Sequence, residues 1–334
     1  MHDALFYEVK GADVICKLCP HMCRLAEGES GLCRTRINKN GQLYTLAFGN
    51  PCALHDDPIE KKPLFHFLPG SRTLSLSTAG CNLACLNCQN HSISQATPLE
   101  IEQHRLLPTE VVEMALQKGC QSIAYTYTDP VVYYEYMLAI ARLAKSKGIK
   151  NVLVSAGYIN PAPLKKMLSY IDAANIDLKT FDDAVYQKLS GVRLKPVLNT
   201  LLSIKKAGVW LEICNLIIPQ YTDDRVVIEQ MIDWLCENGF THVPIHFNRF
   251  VPAHVLRHLG KTPRHFLFEI AQLAKAKGLK HVYVGNVGDN PYSHTYCPHC
   301  EYKHIERIAY SVSSYDNNYG KCKACGKVLQ GVWF

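Results

Sequence analysis

Six times between residues 73 and 284 a short β-branched run gives way to a stretch of helical periodicity, and no other feature restricts the fold as much. The strand candidates are "TLSLS", "SIAYTY", "KNVLVS", "ANIDL", "VWLEICNLII", "THVPIHF" and "KHVYVG". Between them lie "TEVVEMALQKG", "VVYYEYMLAIARLAKSKG", "APLKKMLSY", "VLNTLLSIKKAG", "DDRVVIEQMIDWLCENG" and "PRHFLFEIAQLAKAKG". Several of these close on a Lys-rich turn or Glu-Asn and then Gly, as a capped helix end does. Repeated βα units predict a parallel sheet with helices outside it. The fold class expected is α/β, a partial parallel (βα)6-type barrel, with a doubly wound sheet as the alternative. Seven consecutive strand ends carry polar residues: Thr78; Thr126, Thr128 and Asp129; Ser155 and Gly157; Asp177 and Lys179; Asn215; His246 and Asn248; Asn286. The carboxyl ends of parallel strands form the functional face of such folds, so these residues are the candidate site.

Residues 1–70 and 289–334 fall outside the repeat, and each carries its own cysteines, so two small metal-stapled appendages flank a barrel of residues 71–288. Fifteen cysteines are many for a chain that shows neither a signal peptide nor an apolar run long enough to span a bilayer. A cytoplasmic location and no membrane partner are therefore expected, and in a reducing compartment tight cysteine groups read as metal sites before disulfides. Cys52, Cys120, Cys214 and Cys236 are scattered and read as small apolar residues. The net charge of +7 is spread over lysines on helical faces. No basic stripe with stacking aromatics points to nucleic acid.

Cys81, Cys85 and Cys88 sit on one turn directly after the first strand, with no fourth thiol nearby. Structural zinc takes four protein ligands. A [4Fe–4S] cluster held by three thiolates leaves its fourth iron free for something else, and it suits the loop better than zinc completed by a residue such as His91.

C-x-x-x-C-x-x-C after the first strand of a partial barrel resembles the radical S-adenosylmethionine (SAM) superfamily. The resemblance covers about Thr73 to Asn286. It implies that the free iron binds the amino and carboxylate groups of SAM, and that one electron then yields a 5′-deoxyadenosyl radical, which abstracts hydrogen from a substrate. It also implies an electron donor such as flavodoxin or ferredoxin. "CQN" with Gln89, "DLK" at Asp177–Lys179 and "PIH" at Pro244–His246 resemble the glycyl-radical-enzyme activase branch, the pyruvate formate-lyase activating enzymes. The family's Gly-Gly-Glu stretch falls on "YTYTDP", so Thr128 and Asp129 stand for it, with no glycine present and a carboxylate one methylene shorter. Asn87 replaces the aromatic residue often found before the third cysteine.

On this resemblance the cofactor-binding candidates are Gln89, Thr128, Asp129, Ser155, Gly157, Asp177, Lys179 and His246. Asp129 would accept from the ammonium, Lys179 would pair with the carboxylate, Ser155 and Gly157 would allow close backbone approach, and His246 would reach the ribose. Asp177 would hold a monovalent cation or anchor Lys179.

Cys297, Cys300, Cys322 and Cys325 form two C-x-x-C knuckles 21 residues apart, the spacing of a zinc ribbon, with "ERIAYSVSSY" as its hairpin. Cys16, Cys19, Cys23 and Cys33 read equally as a zinc site or an auxiliary [4Fe–4S] cluster. "CxLCPxxC…GxxGxC", "TYTDP", "YVGNV" and the terminal "GVW" together resemble the AmmeMemoRadiSam group over nearly the whole chain. The activase resemblance implies a protein substrate. The alternatives are a small molecule or a partner modified without a glycyl radical, and a non-enzymatic zinc-ribbon interaction protein. An open side of the barrel would admit a peptide loop. A barrel sealed by residues 1–70 or by the terminal "GVWF" would favour a small molecule.

Overall fold

The computed structural model describes residues 1–102, 104–316 and 319–334. Eight strands make one sheet in chain order: β1 (Pro51–Pro58), β2 (Arg72–Thr78), β3 (Ser122–Tyr125), β4 (Lys150–Ser155), β5 (Ala173–Asp177), β6 (Trp210–Ile217), β7 (Ile245–Arg249) and β8 (Val282–Gly285). Strands β2 to β8 are parallel, and β1 adds to the edge antiparallel to β2. Helices fill each of the six crossovers, as the alternating pattern requires. The helix Leu194–Ala207 stops at Gly208, whose φ of +71° is a left-handed value that costs glycine nothing.

The two faces of the sheet differ. Leu74, Ile123, Leu153, Ile176, Ile213 and Phe247 point outward and bury in one apolar cluster with the helices. One residue along, the period-2 pleat turns Ser75, Asn175, Glu212, His246 and Tyr283 to the other face. Parallel sheets usually read as apolar on both sides, so a polar inner face must meet polar partners or a cavity.

Partners come from two distant segments. After β1 the chain runs through residues 59–70 into the barrel, where Ile59, Leu64, Phe67 and Leu68 pack on Ala124, Val152 and Ala173. Asn175 Nδ2 donates to the Pro63 carbonyl at 2.7 Å. The Glu212 carboxylate, fully buried, accepts from the backbone N–H groups of Phe65 and His66 at 3.0 and 2.7 Å. The tail joins this plug: Val332 N donates to the His66 carbonyl at 2.7 Å, Leu68 N to the Val332 carbonyl at 2.8 Å, and Phe67 and Val332 form a parallel bridge. His66 reaches across to the Tyr283 hydroxyl on β8 at 2.6 Å. The plug therefore starts at one sheet edge and bridges to the other. The buried Arg307 clamps it from the C-terminal hairpin, donating to the Phe65 carbonyl at 2.7 Å and lying 3.6 Å from the buried Glu60.

The sheet begins earlier than the sequence pattern suggests: β1 lies within the segment expected to be an N-terminal extension. "PCALHDDP" has too few β-branched residues to read as a strand and takes its place as an edge beside β2. Before it, two small antiparallel sheets occupy residues 2–45. They dock through Arg36, whose guanidinium forms a buried ion pair with Glu135. Leu5 N donates to the same carboxylate at 2.7 Å, and Asn160 Nδ2 donates to the Lys17 carbonyl at 2.8 Å. At the other end, Lys303–Ile308 pairs antiparallel with Ser311–Tyr315, the hairpin expected of "ERIAYSVSSY". No helix among the described residues is long and apolar enough to cross a membrane.

Candidate active site and metal centres

Above the plug, the carboxyl ends of β2 to β5 surround a cavity of about 540 Å³, a usual size for a site that holds a drug-sized ligand. Cys81, Cys85 and Cys88 line one side of it. Their loop is set by two devices. Gly80 takes φ +92°, and a Cβ there would sit 2.5 Å from the Cys33 carbonyl oxygen, so only glycine fits. Then Ala84 N and Leu86 N donate to the carbonyls of Ser190 and Leu189, at 3.0 and 2.9 Å. Those carbonyls end a helix, Asp183–Ser190, that sequence periodicity missed. Its visible signal was Asp182, whose side chain caps Ala184 N and Val185 N at 2.7 and 3.0 Å.

The three thiols do not approach as a single-ion site would: among the described residues they form no group of sulfurs within 4.8 Å of one another. His91, the fourth ligand considered for zinc, is stacked on His254 at 4.5 Å. Separated thiols facing one cavity suit a multi-iron cluster, whose ligands sit on different irons. Burial pushes the Cys81 and Cys85 thiols up, and the Lys179 ammonium acts on Cys85 in the opposite direction, toward the thiolate a metal needs.

Gln89, Thr128, Asp129, Ser155, Asp177 and Lys179 all line this cavity. Lys179 Nζ is held 2.8 Å from Asp177. Burial alone would lower its pKa, but Asp177 more than offsets this and holds it well above the usual lysine range. Asp129 is already engaged. Its oxygens accept from Ser155 Oγ (3.0 Å to each), Ala156 N (2.9 Å) and Val131 N (3.1 Å). Burial pushes its pKa up against those bonds. The shortened carboxylate thus ties the ends of β3 and β4 together, besides facing the cavity. For Asp129→Asn we expect both a lower melting temperature and a SAM affinity weakened by about 1.5–3 kcal/mol, the scale of a charge-assisted hydrogen bond. Isothermal titration beside a thermal melt separates the two; unchanged affinity would leave Asp129 as a fold residue alone.

Two expected residues stay outside the lining. His246 is 2% exposed, donates through Nε2 to the Glu212 carboxylate at 2.7 Å, stacks on Tyr283 and meets the ring of Phe65 in the plug edge-on at 4.8 Å. Gly157 has φ +71° and turns toward Thr200, whose Oγ1 donates to its carbonyl at 2.7 Å. In their place the structure adds Lys61, Lys62, Tyr127 and Tyr310 to the wall. Tyr127 stands where the resembling family has glycine and adopts φ +66°, a value glycine takes freely. Its hydroxyl donates to Asp57 at 2.6 Å and its ring lies 4.7 Å from the Lys62 ammonium. Burial works against ionising Asp57, yet Lys61, Lys62 and the Tyr127 hydroxyl hold its carboxyl well below the usual range. Of the scattered cysteines, Cys120 and Cys214 are buried and Cys52 and Cys236 half-buried.

At the C-terminus the sulfurs of Cys297, Cys300, Cys322 and Cys325 all lie within 4.8 Å of one another, with Cys297 to Cys325 at 3.7 Å and Cys300 to Cys322 at 3.5 Å. A tetrahedral ion with about 2.3 Å metal–sulfur bonds holds its sulfurs about 3.8 Å apart, so this site is sized for one ion. Cys322→Ser is expected to lower zinc from about one equivalent per chain to none and to speed hydrogen exchange across residues 295–333. Metal analysis finding iron here and no zinc would overturn that expectation.

The radical SAM superfamily model matches residues 75–231, the stretch that runs from β2 through the cysteine loop to the helix Arg225–Glu237. The uncharacterized protein MJ0808 of Methanocaldococcus jannaschii is 42% identical over 335 residues, covering 99% of this chain and all of that protein. The pyruvate formate-lyase-activating enzyme of Clostridium pasteurianum is 24% identical over 165 residues, 49% of this chain and 68% of the relative. Among solved structures, Streptococcus suis SuiB bound to precursor peptide SuiA shares the fold, with a TM-score of 0.51 at 14% identity over 68% of this chain and 51% of that one. With three cysteines on the loop after the first parallel strand and a cavity beneath them, the chain belongs to the radical SAM superfamily.

Proposed function

We propose that the cavity binds a [4Fe–4S] cluster through Cys81, Cys85 and Cys88 and SAM beside it, and that its substrate is a small molecule admitted at the mouth. When bound, the cluster and SAM supply a one-electron cleavage that generates a radical able to abstract hydrogen. The chain's part is to bind, orient and exclude water. Lys179, held by Asp177, presents an ammonium for the methionyl carboxylate, and Asp129 with Thr128 offers oxygens on the ammonium side. Asn87 Oδ1, buried in the wall with no hydrogen-bond partner among the described residues, suits an exocyclic amino group of adenine. Asp177, half exposed, leaves room for a cation beside the carboxylate. His246 has no part in this arrangement.

The observation that carries the substrate class is the plug. A peptide loop entering sideways needs a gap between β1 and β8, and residues 59–70 with the C-terminal hairpin bridge that gap. Access is left at the strand ends, where Lys61 and the half-exposed Tyr310 stand. A cluster and SAM would have to share a cavity of about 540 Å³, which leaves limited room for the reacting group of the substrate. The test is anaerobic reconstitution with a flavodoxin or ferredoxin as electron donor, followed by assay of 5′-deoxyadenosine with low-mass and high-mass fractions of a cell extract supplied separately. Turnover stimulated by the low-mass fraction alone is expected. Turnover that needs the high-mass fraction would support the second reading, a protein substrate as in activating enzymes, which the likeness to the Clostridium pasteurianum enzyme favours.

A further inference from the structure

Cys16, Cys19, Cys23 and Cys33 line one void at the seam between the N-terminal sheets and the barrel, with Arg36 and Asn82 completing its wall. Unlike the C-terminal four, these thiols do not close on a point. Among the described residues they form no group of sulfurs within 4.8 Å of one another, and a space is left between them. A single tetrahedral zinc would require sulfurs about 3.8 Å apart. A cubane cluster requires the opposite, four thiolates on four different irons around a central body.

The surroundings fit a cluster too. Arg36, a fully buried cation, directs Nη1 at the Cys16 sulfur at 3.6 Å, while the Thr35 hydroxyl beside Cys33 donates to the Val132 carbonyl at 2.9 Å. Hydrogen bonds to ligating sulfurs stabilise the thiolate and tune such centres. His21, the other ligand type at hand, is engaged with the Asn82 carbonyl at 2.8 Å. We propose that this void holds a second [4Fe–4S] cluster, ligated by all four thiolates and therefore without an open iron.

Its position has a consequence that rests on the radical SAM reading of Cys81. Asn82 lines the N-terminal void while Cys81, one peptide unit away, lines the SAM cavity. Their Cα atoms are about 3.8 Å apart. Gly80, on the other side of Cys81, packs against the Cys33 carbonyl. The two clusters are close neighbours, and when both are reduced each alters the magnetic relaxation of the other.

The experiment uses the full chain with Cys81, Cys85 and Cys88 all replaced by alanine, reconstituted anaerobically with iron and sulfide. About four irons and about one zinc per chain are expected, with the electron paramagnetic resonance signal of a reduced cubane. Adding Cys23→Ala to that background should remove the iron and leave the zinc. In the unaltered chain, about eight irons and a signal broadened by coupling are expected. A triple variant with no iron and about two zinc ions per chain would overturn the proposal. Should the Cys23→Ala chain fail to fold, the iron-to-zinc ratio of the unaltered chain decides alone, because two zinc sites and one cluster give about four irons to two zincs. If the Cys81 reading is the one at fault, the unaltered chain and the triple variant carry the same iron.

Discussion

Alanine at Cys81, Cys85 and Cys88 together is expected to reduce SAM cleavage to the uncatalysed background, a loss of at least about six orders of magnitude. Cys81, Cys85 and Cys88, the proposed cluster ligands, line the cavity, and among the described residues no other thiol does. Without them a cluster would have no thiolate to hold it in the cavity. The loop itself should survive. Gly80 sets its entry, and backbone bonds from Ala84 and Leu86 to the helix end at Ser190 hold its exit. The variant should therefore melt close to the unaltered chain while showing no 5′-deoxyadenosine under dithionite. Retained cleavage would remove the cluster assignment.

Glu212→Ala is expected to be the most destabilising single substitution in the barrel. Its carboxylate is fully buried and satisfies two backbone N–H groups of the plug, the Trp210 indole N–H at 3.1 Å and the His246 ring at 2.7 Å. Truncation strands these partners away from water. Each unpaired buried donor costs about 1–3 kcal/mol, so with four of them stranded a loss of about 4 kcal/mol or more follows. A chain of 334 residues has an unfolding entropy of about 0.7 kcal/mol/K, so a loss of about 4 kcal/mol lowers the melting temperature by about 6 °C. Glu212→Gln keeps one acceptor oxygen and should cost markedly less. Equal melting temperatures for the two variants would mean the lost bonds are not the cause.

Glu212 also marks where sequence reasoning stopped. The outward face of the barrel was legible because Leu74, Ile123, Ile213 and Phe247 repeat with strand period and the helices between them repeat with helical period. The cysteine loop was legible because three ligands at short spacing have few other uses. Six of the eight expected SAM contacts reach the cavity, since strand-end position largely determines which side chains do. Position along a strand does not tell what fills the space beside it. His246 lies near a strand end in sequence, but the plug that removes it from the cavity comes from residues 59–70, which have no periodicity. Lys61, Lys62 and Tyr310 were missed for the same reason: they arrive from β1's continuation and from the C-terminal hairpin. Tyr127 was missed because a left-handed tyrosine reads as an ordinary strand residue.

The pairing of Phe67 with Val332 and of His66 with Gln330 joins segments 264 or 265 residues apart. Contacts that distant must wait for loop closure, and they slow the step in which they form. The sheet, made of neighbours in sequence, can assemble as it leaves the ribosome, but its interior cannot be completed until the last of these residues has been synthesised. Until then the polar inner face and the apolar side chains of residues 59–70 stand exposed together, a state prone to aggregation. Pulse-labelling exchange of chains released short of residue 330 should find β2 to β6 protected and residues 59–70 open.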